Sequence, residues 1–253
     1  MKLHEFQAKE IFRKYNIPVP DGRVAGSAKE AASLGGEIKG PPWVVKAQVH
    51  AGGRGKGGGV RIVKSLKDLR AAAAAILNNP LVTKQTGPEG RKVHQVLIEE
   101  GVEIDREIYV AVTVDRSKAM PVMIFSRAGG MDIEEVAATS PHLVLKQFVN
   151  PATGWMPCQG RTLAYSLDPL PAPEVVKGLM ALMERLYRLF VSLDCSLAEI
   201  NPLVITKDAK VLAVDAKISI DDNGLLRQKD MVALDDIREK DPLDAKAQRY
   251  NLN

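Results

Sequence analysis

The run His50-Ala51-Gly52-Gly53-Arg54-Gly55-Lys56-Gly57-Gly58-Gly59 places six glycines and two bases within ten residues. It lies between two β-type runs, Trp43 to Val49 and Val60 to Lys64. A backbone this bare folds closely over a bulky anion and presents several N–H groups to it. Arg54 and Lys56 add positive charge. The expected unit is a strand, a glycine loop that covers phosphates, and a second strand. A flexible hairpin without a ligand is the alternative, but glycine is entropically costly to order and a plain hairpin needs only one or two.

Gly53-x-Gly55-x-x-Gly58 has the spacing of a dinucleotide fingerprint, which requires a helix directly after it. A strand follows here, so that reading fails. A P-loop fails too, because Lys56 is followed by Gly57 rather than Ser or Thr. A clamp between two strands survives, comparable in principle to the glycine-rich cover over ATP in kinases.

Strand alternation puts Val44, Lys46 and Gln48 on one face of the first strand. A lysine in so apolar a run suggests a pocket wall, where its ammonium neutralises a phosphate as a point charge. An exposed edge lysine is the alternative. Glu99-Glu100-Gly101-Val102 ends a buried-looking strand, Val93 to Glu99, and reads as a hinge whose backbone meets an adenine edge. Glu107, at the start of the next strand, has the chemistry to accept from ribose hydroxyls. Plain solvated acids are the competing reading for Glu99 and Glu107.

A hairpin is expected from Ala198–Thr206 and Val211–Lys217. If its turn is Lys207-Asp208-Ala209, Thr206 opposes Lys210 and Asn201 opposes Asp215 on one face. Opposed side chains start roughly 5 Å apart at Cβ. An amide oxygen and a carboxylate that close can hold Mg²⁺ together with nucleotide phosphates. Glu199 lies two residues away on the same face. An Asn-Pro turn beside an exposed Asp is the alternative.

Composition narrows the classes. The chain has 253 residues, 45% hydrophobic, 26% charged and 5% aromatic, with net charge +4. That is a globular profile with length for one large domain or two lobes. Its bases are scattered, without the aromatic-interleaved stripe of a nucleic-acid binder. No run is long and apolar enough to span a membrane. Two cysteines, Cys158 and Cys195, give neither a disulfide framework nor metal spacing, so a reducing, cytoplasmic setting is expected. The N-terminus has no signal-peptide core. It reads as an amphipathic helix with Leu3, Phe6, Ile11 and Tyr15 on its apolar face. His4, His50, His94 and His142 lack ligand spacing and are expected to be satisfied structural histidines.

Further helices are expected from Ser27, with Glu30 as the capping partner, and from Ser65, with Asp68. Others are expected near Ile133–Ala138 and over Glu174–Leu193. Glu107–Asp115 and Pro121–Ser126 read as a strand pair. Pro151 to Pro173 reads as irregular, and the tail beyond Asp221 is weakly patterned. Helices and strands alternate without a βαβ rhythm, which points to α+β lobes.

Three motifs together resemble the ADP-forming succinate–CoA ligase (succinyl-CoA synthetase) β-subunit family. They are Leu3-His4-Glu5-Phe6-Gln7-Ala8-Lys9, Lys46 through Lys56, and Glu199-Ile200-Asn201-Pro202-Leu203-Val204. The resemblance implies an ATP-grasp fold whose two lobes hold ATP or ADP between them. The small lobe would be about 21–103 and the large lobe about 1–20 plus 104–240. It implies phosphate binding by Lys46, Gly53, Arg54 and Gly55, adenine contact at Glu99 and Val102, and ribose contact at Glu107. It further implies Mg²⁺ ligation by Asn201 and Asp215. Glu199 resembles a glutamate that faces a phosphohistidine loop of an α subunit, in an αβ or α2β2 assembly. The implied chemistry is phosphoryl relay from ATP to that histidine, then to succinate, and displacement of phosphate by CoA.

Members of that family continue into a C-terminal domain, so 241–253 is expected to lead toward it. The chain is then either a fragment or a natural short form, expected to bind nucleotide without completing CoA ligation. Related readings are a malate–CoA ligase β subunit, a stand-alone carboxylate–amine ligase, and an ATP-binding module without ligase chemistry.

Overall fold

The computed structural model describes residues 1–239 and Leu243, so most of the expected tail, 241–253, lies outside the described residues. The chain opens with helix α1 (Glu5–Lys14) and then builds a lobe on a four-stranded antiparallel sheet. That lobe contains β1 (Gly22–Ala25), α2 (Ala28–Gly35), β2 (Trp43–Ala47), β3 (Val60–Val63) and α3 (Leu66–Asn78). A small hairpin, β4 (Pro80–Leu81) and β5 (Arg91–Lys92), precedes β6 (Val96–Glu100). The sheet order is β1-β6-β2-β3. Both helices start where the sequence places their caps. Ser27 Oγ accepts the Glu30 N–H at 3.2 Å, and Ser65 Oγ accepts the Asp68 N–H at 3.1 Å, satisfying orphan first-turn donors.

The second lobe is built on a six-stranded sheet. Its elements are β7 (Ile104–Asp115), β8 (Met120–Ser126), α4 (Ile133–Thr139), β9 (Val144–Phe148), α5 (Pro157–Ala164), α6 (Pro173–Ser192), β10 (Cys195–Thr206), β11 (Val211–Ala213), β12 (Lys217–Ile220) and α7 (Lys229–Val232). The order is β11-β10-β7-β8-β9, with β12 also on β10. Helix α6 buries Val175, Leu179, Leu182, Leu186 and Leu189 at helical spacing. Each such side chain contributes about 1.5–3 kcal/mol by leaving water.

Two separate apolar cores result. One joins α1 with residues 108–231, and the other lies within 25–98.

Several expectations change. Residues 157–164 form α5 inside the stretch read as irregular, because Pro157 sits in the first turn, where its missing N–H is harmless. Strands β1 and β9 were not expected; β1 is only four residues long and β9 only five. The expected strand Val211–Lys217 is broken at 214–216 into β11 and β12. Short helical turns at Asp222–Arg227 and Ile237–Glu239 order the weakly patterned tail.

The expected apolar face of α1 is also corrected. Glu5 and Lys9 are among its buried residues, for reasons given next.

Candidate functional site

Helix α1, the start of the glycine run and the β11–β12 break meet between the lobes. Lys46 lies on β2, an interior strand between β6 and β3, and is only 4% exposed. The edge-lysine reading is therefore excluded. Its Nζ is 2.9 Å from Glu5 Oε1, 2.7 Å from Glu99 Oε2 and 2.6 Å from the Val214 carbonyl oxygen. Lys9 reaches the same groups: Glu99 Oε1 at 2.6 Å, Glu5 Oε1 at 2.8 Å and the Val214 carbonyl at 2.6 Å. Arg54 leaves the glycine run to meet Glu5 Oε2 at 2.7 Å and Asp215 Oδ1 at 2.8 Å, and it donates to the Ala47 carbonyl at 2.8 Å.

Three cations thus face three carboxylates in one group, buried except at Asp215, which is half-exposed at its edge. Such charges persist away from water only when paired. Burial opposes ionisation of Glu5, but Lys46, Lys9 and Arg54 outweigh it and hold the carboxyl well below its ordinary range. Burial likewise opposes the charge on Lys46, and Glu5 and Glu99 overturn it, raising the ammonium above its usual value. Arg54 is raised for the same reason by Asp215 and Glu5, against its own desolvation.

The glycine run closes on itself through Gly57 N–H to Gly53 O at 3.1 Å and Gly59 N–H to Arg54 O at 2.8 Å. Gly53 and Gly58 have φ of +73° and +77°, which favours glycine. A Cβ at Gly57 would stand 2.5 Å from the Val82 carbonyl oxygen. Among the described residues no acceptor takes the N–H of Gly53, Arg54 or Gly55. Gly53 and Gly55 are exposed. These donors are therefore available to an anion.

The β10 hairpin has the expected three-residue turn. Thr206 N–H donates to Lys210 O at 2.9 Å, and Leu203 pairs with Ala213. Glu199 pairs with Lys217 on the far side of the break, and Val214 N–H donates to Pro202 O at 3.2 Å. This register sets Asn201 across from Asp215. The two side chains have separate partners: Asp215 holds Arg54, while Asn201 grips the loop before α4. Its Oδ1 accepts the Gly130 N–H at 2.8 Å, and its Nδ2 donates to the Met131 carbonyl at 2.8 Å. Among the described residues no group of three His, Cys, Asp or Glu side chains converges to hold a metal. A carboxylate and an amide oxygen nevertheless have the hard-oxygen chemistry for Mg²⁺ once phosphate oxygens complete the shell.

Glu99 is only 1% exposed, so the solvated-acid reading fails for it. Its carboxylate faces the lysines, and its backbone lies in the sheet between Gly22 and Val44. Val102 is half-buried in the short link from β6 to β7, which joins the two sheets. Gly101 N–H donates to Pro42 O at 2.8 Å at the start of that link. Glu107 is exposed on β7, and the tight loop at Gly130 lies against its carboxylate. Glu199 is half-buried and accepts from Tyr109 Oη–H at 3.1 Å; burial raises its carboxyl above the ordinary range.

Glu5, Lys9, Tyr109 and the Gly130–Met131 clamp were not among the expected site residues. The Glu5/Lys9 spacing of i,i+4 was a visible signal, but one that usually marks an exposed pair. The His4 and His50 rings meet at a tilt of 45°, with centroids 4.4 Å apart. Among the described residues each keeps one buried ring nitrogen without a hydrogen-bond partner, which departs from the expectation of satisfied structural histidines.

Residues 2–205 match the family model described as an ATP-grasp domain. The chain belongs to the ATP-grasp family. It is 52% identical over all 253 residues to a succinate–CoA ligase [ADP-forming] subunit beta of Desulfosudis oleivorans. It is 47% identical over the same length to one of Geobacillus kaustophilus. It spans 65% of the length of each of these relatives. Among solved structures, it resembles a dinucleotide-forming acetyl-coenzyme A synthetase 1 of Ca. Korarchaeum cryptofilum, in complex with coenzyme A, Ca-AMPCP and HgCl+. That match has TM-score 0.69 and 21% identity, covering 87% of this chain and 93% of that one. An ATP citrate lyase of Methanothrix soehngenii matches with TM-score 0.67 and 18% identity, over 90% of this chain and 53% of that one. These structural likenesses establish the ATP-grasp fold. Among the described residues no helix is long and apolar enough to cross a membrane.

Proposed function

We propose that this chain is the nucleotide-binding β subunit of an ADP-forming succinate–CoA ligase, acting in the cytoplasm with an α subunit as αβ or α2β2. The observation that carries the reading is the convergence of Lys46 and Arg54 from one lobe on the β11–β12 break of the other, where Lys46 donates to the Val214 carbonyl and Arg54 meets Asp215, opposite Asn201. Identities of 47–52% along the whole chain to β subunits of that enzyme support it.

Lys46, Arg54 and the free N–H groups of Gly53 and Gly55 take the phosphates of ATP. The segment from Glu99 to Val102 takes the adenine edge, and Glu107 takes the ribose hydroxyls. Asn201 and Asp215 would hold Mg²⁺, which supplies charge neutralisation at the phosphates. ATP and a histidine of the α subunit give ADP and phosphohistidine, with Glu199 facing the loop that carries the histidine. Succinate takes the phosphoryl group to form an acyl phosphate, and the CoA thiol displaces phosphate to leave succinyl-CoA. Reversal makes ATP. Catalysis by this chain is positioning and charge neutralisation, the main demands of phosphoryl transfer.

Incubation with γ-labelled ATP, Mg²⁺ and an α subunit of a succinate–CoA ligase tests the reading. Acid-labile label on the α subunit is the expected result. Nucleotide binding with no label transferred would leave an ATP-binding module instead.

A further inference from the structure

The motif Leu3 to Lys9 has no task in the reading above, yet it places two charges at the centre of the site. An ammonium has three N–H donors. All three of Lys46 are committed, to Glu5, Glu99 and the Val214 carbonyl. Lys46 therefore has nothing to offer a phosphate until one acceptor leaves. Arg54 donates to Asp215 and Ala47 O and lies 2.7 Å from Glu5 Oε2 as an ion pair, so part of its five-donor fork is already engaged.

The acceptors differ in how readily they can be given up. Glu99 is pinned by Lys9, which contacts both its oxygens at 2.6 and 2.7 Å. The Val214 carbonyl is backbone. Among the described residues Glu5 is the one carboxylate that contacts both Lys46 and Arg54, one oxygen to each, while Lys9 meets just one of its oxygens, at 2.8 Å. A single departure of its carboxylate frees a donor on Lys46 and removes a paired charge from Arg54 at once. Like a phosphate, it is an anion that presents oxygens to several cations at once, here Lys46, Arg54 and Lys9.

We propose that Glu5 stands in for a nucleotide phosphate in the ligand-free site and competes with it for Lys46 and Arg54. This rests on the nucleotide reading of the site. Lys9 keeps Glu99 neutralised during the exchange, so the small-lobe strand carries no unpaired charge. Glu5 is thus a positioning residue: it holds the two cations together at the cleft and sets how tightly phosphate must bind to displace it.

The test is ATP and adenosine affinity by calorimetry for the wild-type chain, Glu5→Gln and the exposed-surface control Glu184→Gln. Glu5→Gln should bind ATP roughly tenfold more tightly, the effect of removing one competing charged hydrogen bond. Adenosine affinity should not change, because adenosine has no phosphate to compete. A folded Glu5→Gln chain with equal or weaker ATP binding overturns the proposal, as does an equal gain for adenosine. If Glu5→Gln does not fold, Glu5→Gln/Lys9→Met keeps two cations and two carboxylates, and the same criteria apply to it. A wild-type chain that binds no ATP overturns the nucleotide reading itself, an outcome distinct from a failed exchange.

Discussion

The charge cluster makes a quantitative demand on stability that does not depend on any ligand. Glu99 is 1% exposed and lies within 2.6–2.7 Å of both Lys9 and Lys46. Glu99→Gln keeps the shape but leaves Lys9, Lys46 and Arg54 facing only Glu5 and Asp215. Removing one partner of a buried ion pair costs about 3–5 kcal/mol, because the remaining charge is stranded away from water. A native protein has a total stability of only about 5–15 kcal/mol, so the loss is conspicuous. Lys9→Met should cost a similar amount for the opposite reason, since Glu99 then loses a cation.

The double variant Lys9→Met/Glu99→Gln restores balance, with two cations and two carboxylates. It should be less destabilised than the sum of the singles by about 0.5–3 kcal/mol, the usual coupling for residues in one network. Urea unfolding followed by circular dichroism, without nucleotide, measures all four chains; an unchanged m-value shows that the shifts reflect stability. If Glu99→Gln unfolds within about 0.5 kcal/mol of wild type, the range of ordinary surface changes, the cluster is not the buried network described here. Strictly additive singles would refute the coupling.

Three other outcomes follow from single contacts. Glu107→Gln should weaken ATP binding roughly tenfold yet leave 2′,3′-dideoxy-ATP nearly unaffected, since only the ribose hydroxyl pairing is lost; equal losses for both nucleotides would remove Glu107 from the ribose site. Asn201→Ala removes both side-chain bonds to the loop before α4 and leaves the Gly129 N–H to Glu107 O bond; amide exchange at Gly130 should accelerate roughly tenfold, and unchanged protection would show that Asn201 does not hold the loop. Burial, and then the neighbouring His4, push His50 down to about 4 from an ordinary 6.5. Its unfolded imidazole therefore takes a proton first as pH falls, so its contribution to stability is full above about 6.5 and is lost toward 4. Over that window His50→Asn should flatten the pH dependence of the urea midpoint, and a slope identical to wild type would discount His50 as its source.

What was legible in the sequence was what local geometry dictates. The alternation that put Lys46 with Val44 and Gln48 is a period-2 rule, and the Asn201/Asp215 opposition needs only the length of one turn. The glycine run was readable because positive φ at Gly53 and Gly58 and the close approach of Gly57 to Val82 all favour the same residue type. Glu5 and Lys9 were not readable, although they sit in a motif noticed for its resemblance. A Glu and a Lys four apart on a helix look like a solvated pair, and only the arrival of Glu99, Lys46 and Arg54 from distant segments makes burial tolerable. The same holds for Glu99, whose side chain is fixed by α1 rather than by its own strand. Helix α5 was hidden behind Pro157, a residue that breaks helices everywhere except near their start.

The cluster also joins two lobes that have separate cores. The apolar clusters do not merge; α1 belongs to one core and β2 with β6 to the other. What crosses between them is charge: Lys9 to Glu99, Glu5 to Lys46, and Asp215 to Arg54. An apolar seam would hold the lobes together whether or not a ligand were present, because burial is indifferent to phosphate. A balanced ionic seam is different. Adding an anion or removing a carboxylate changes its net charge by a whole unit where water cannot screen it, so the contact must rearrange. The glycine run is attached to that seam through Arg54. Whatever releases Arg54 from Glu5 and Asp215 therefore removes one of the run's side-chain anchors, leaving the His50 N–H bond to Glu239 Oε2, so the hold on the run depends on the charge balance of the seam.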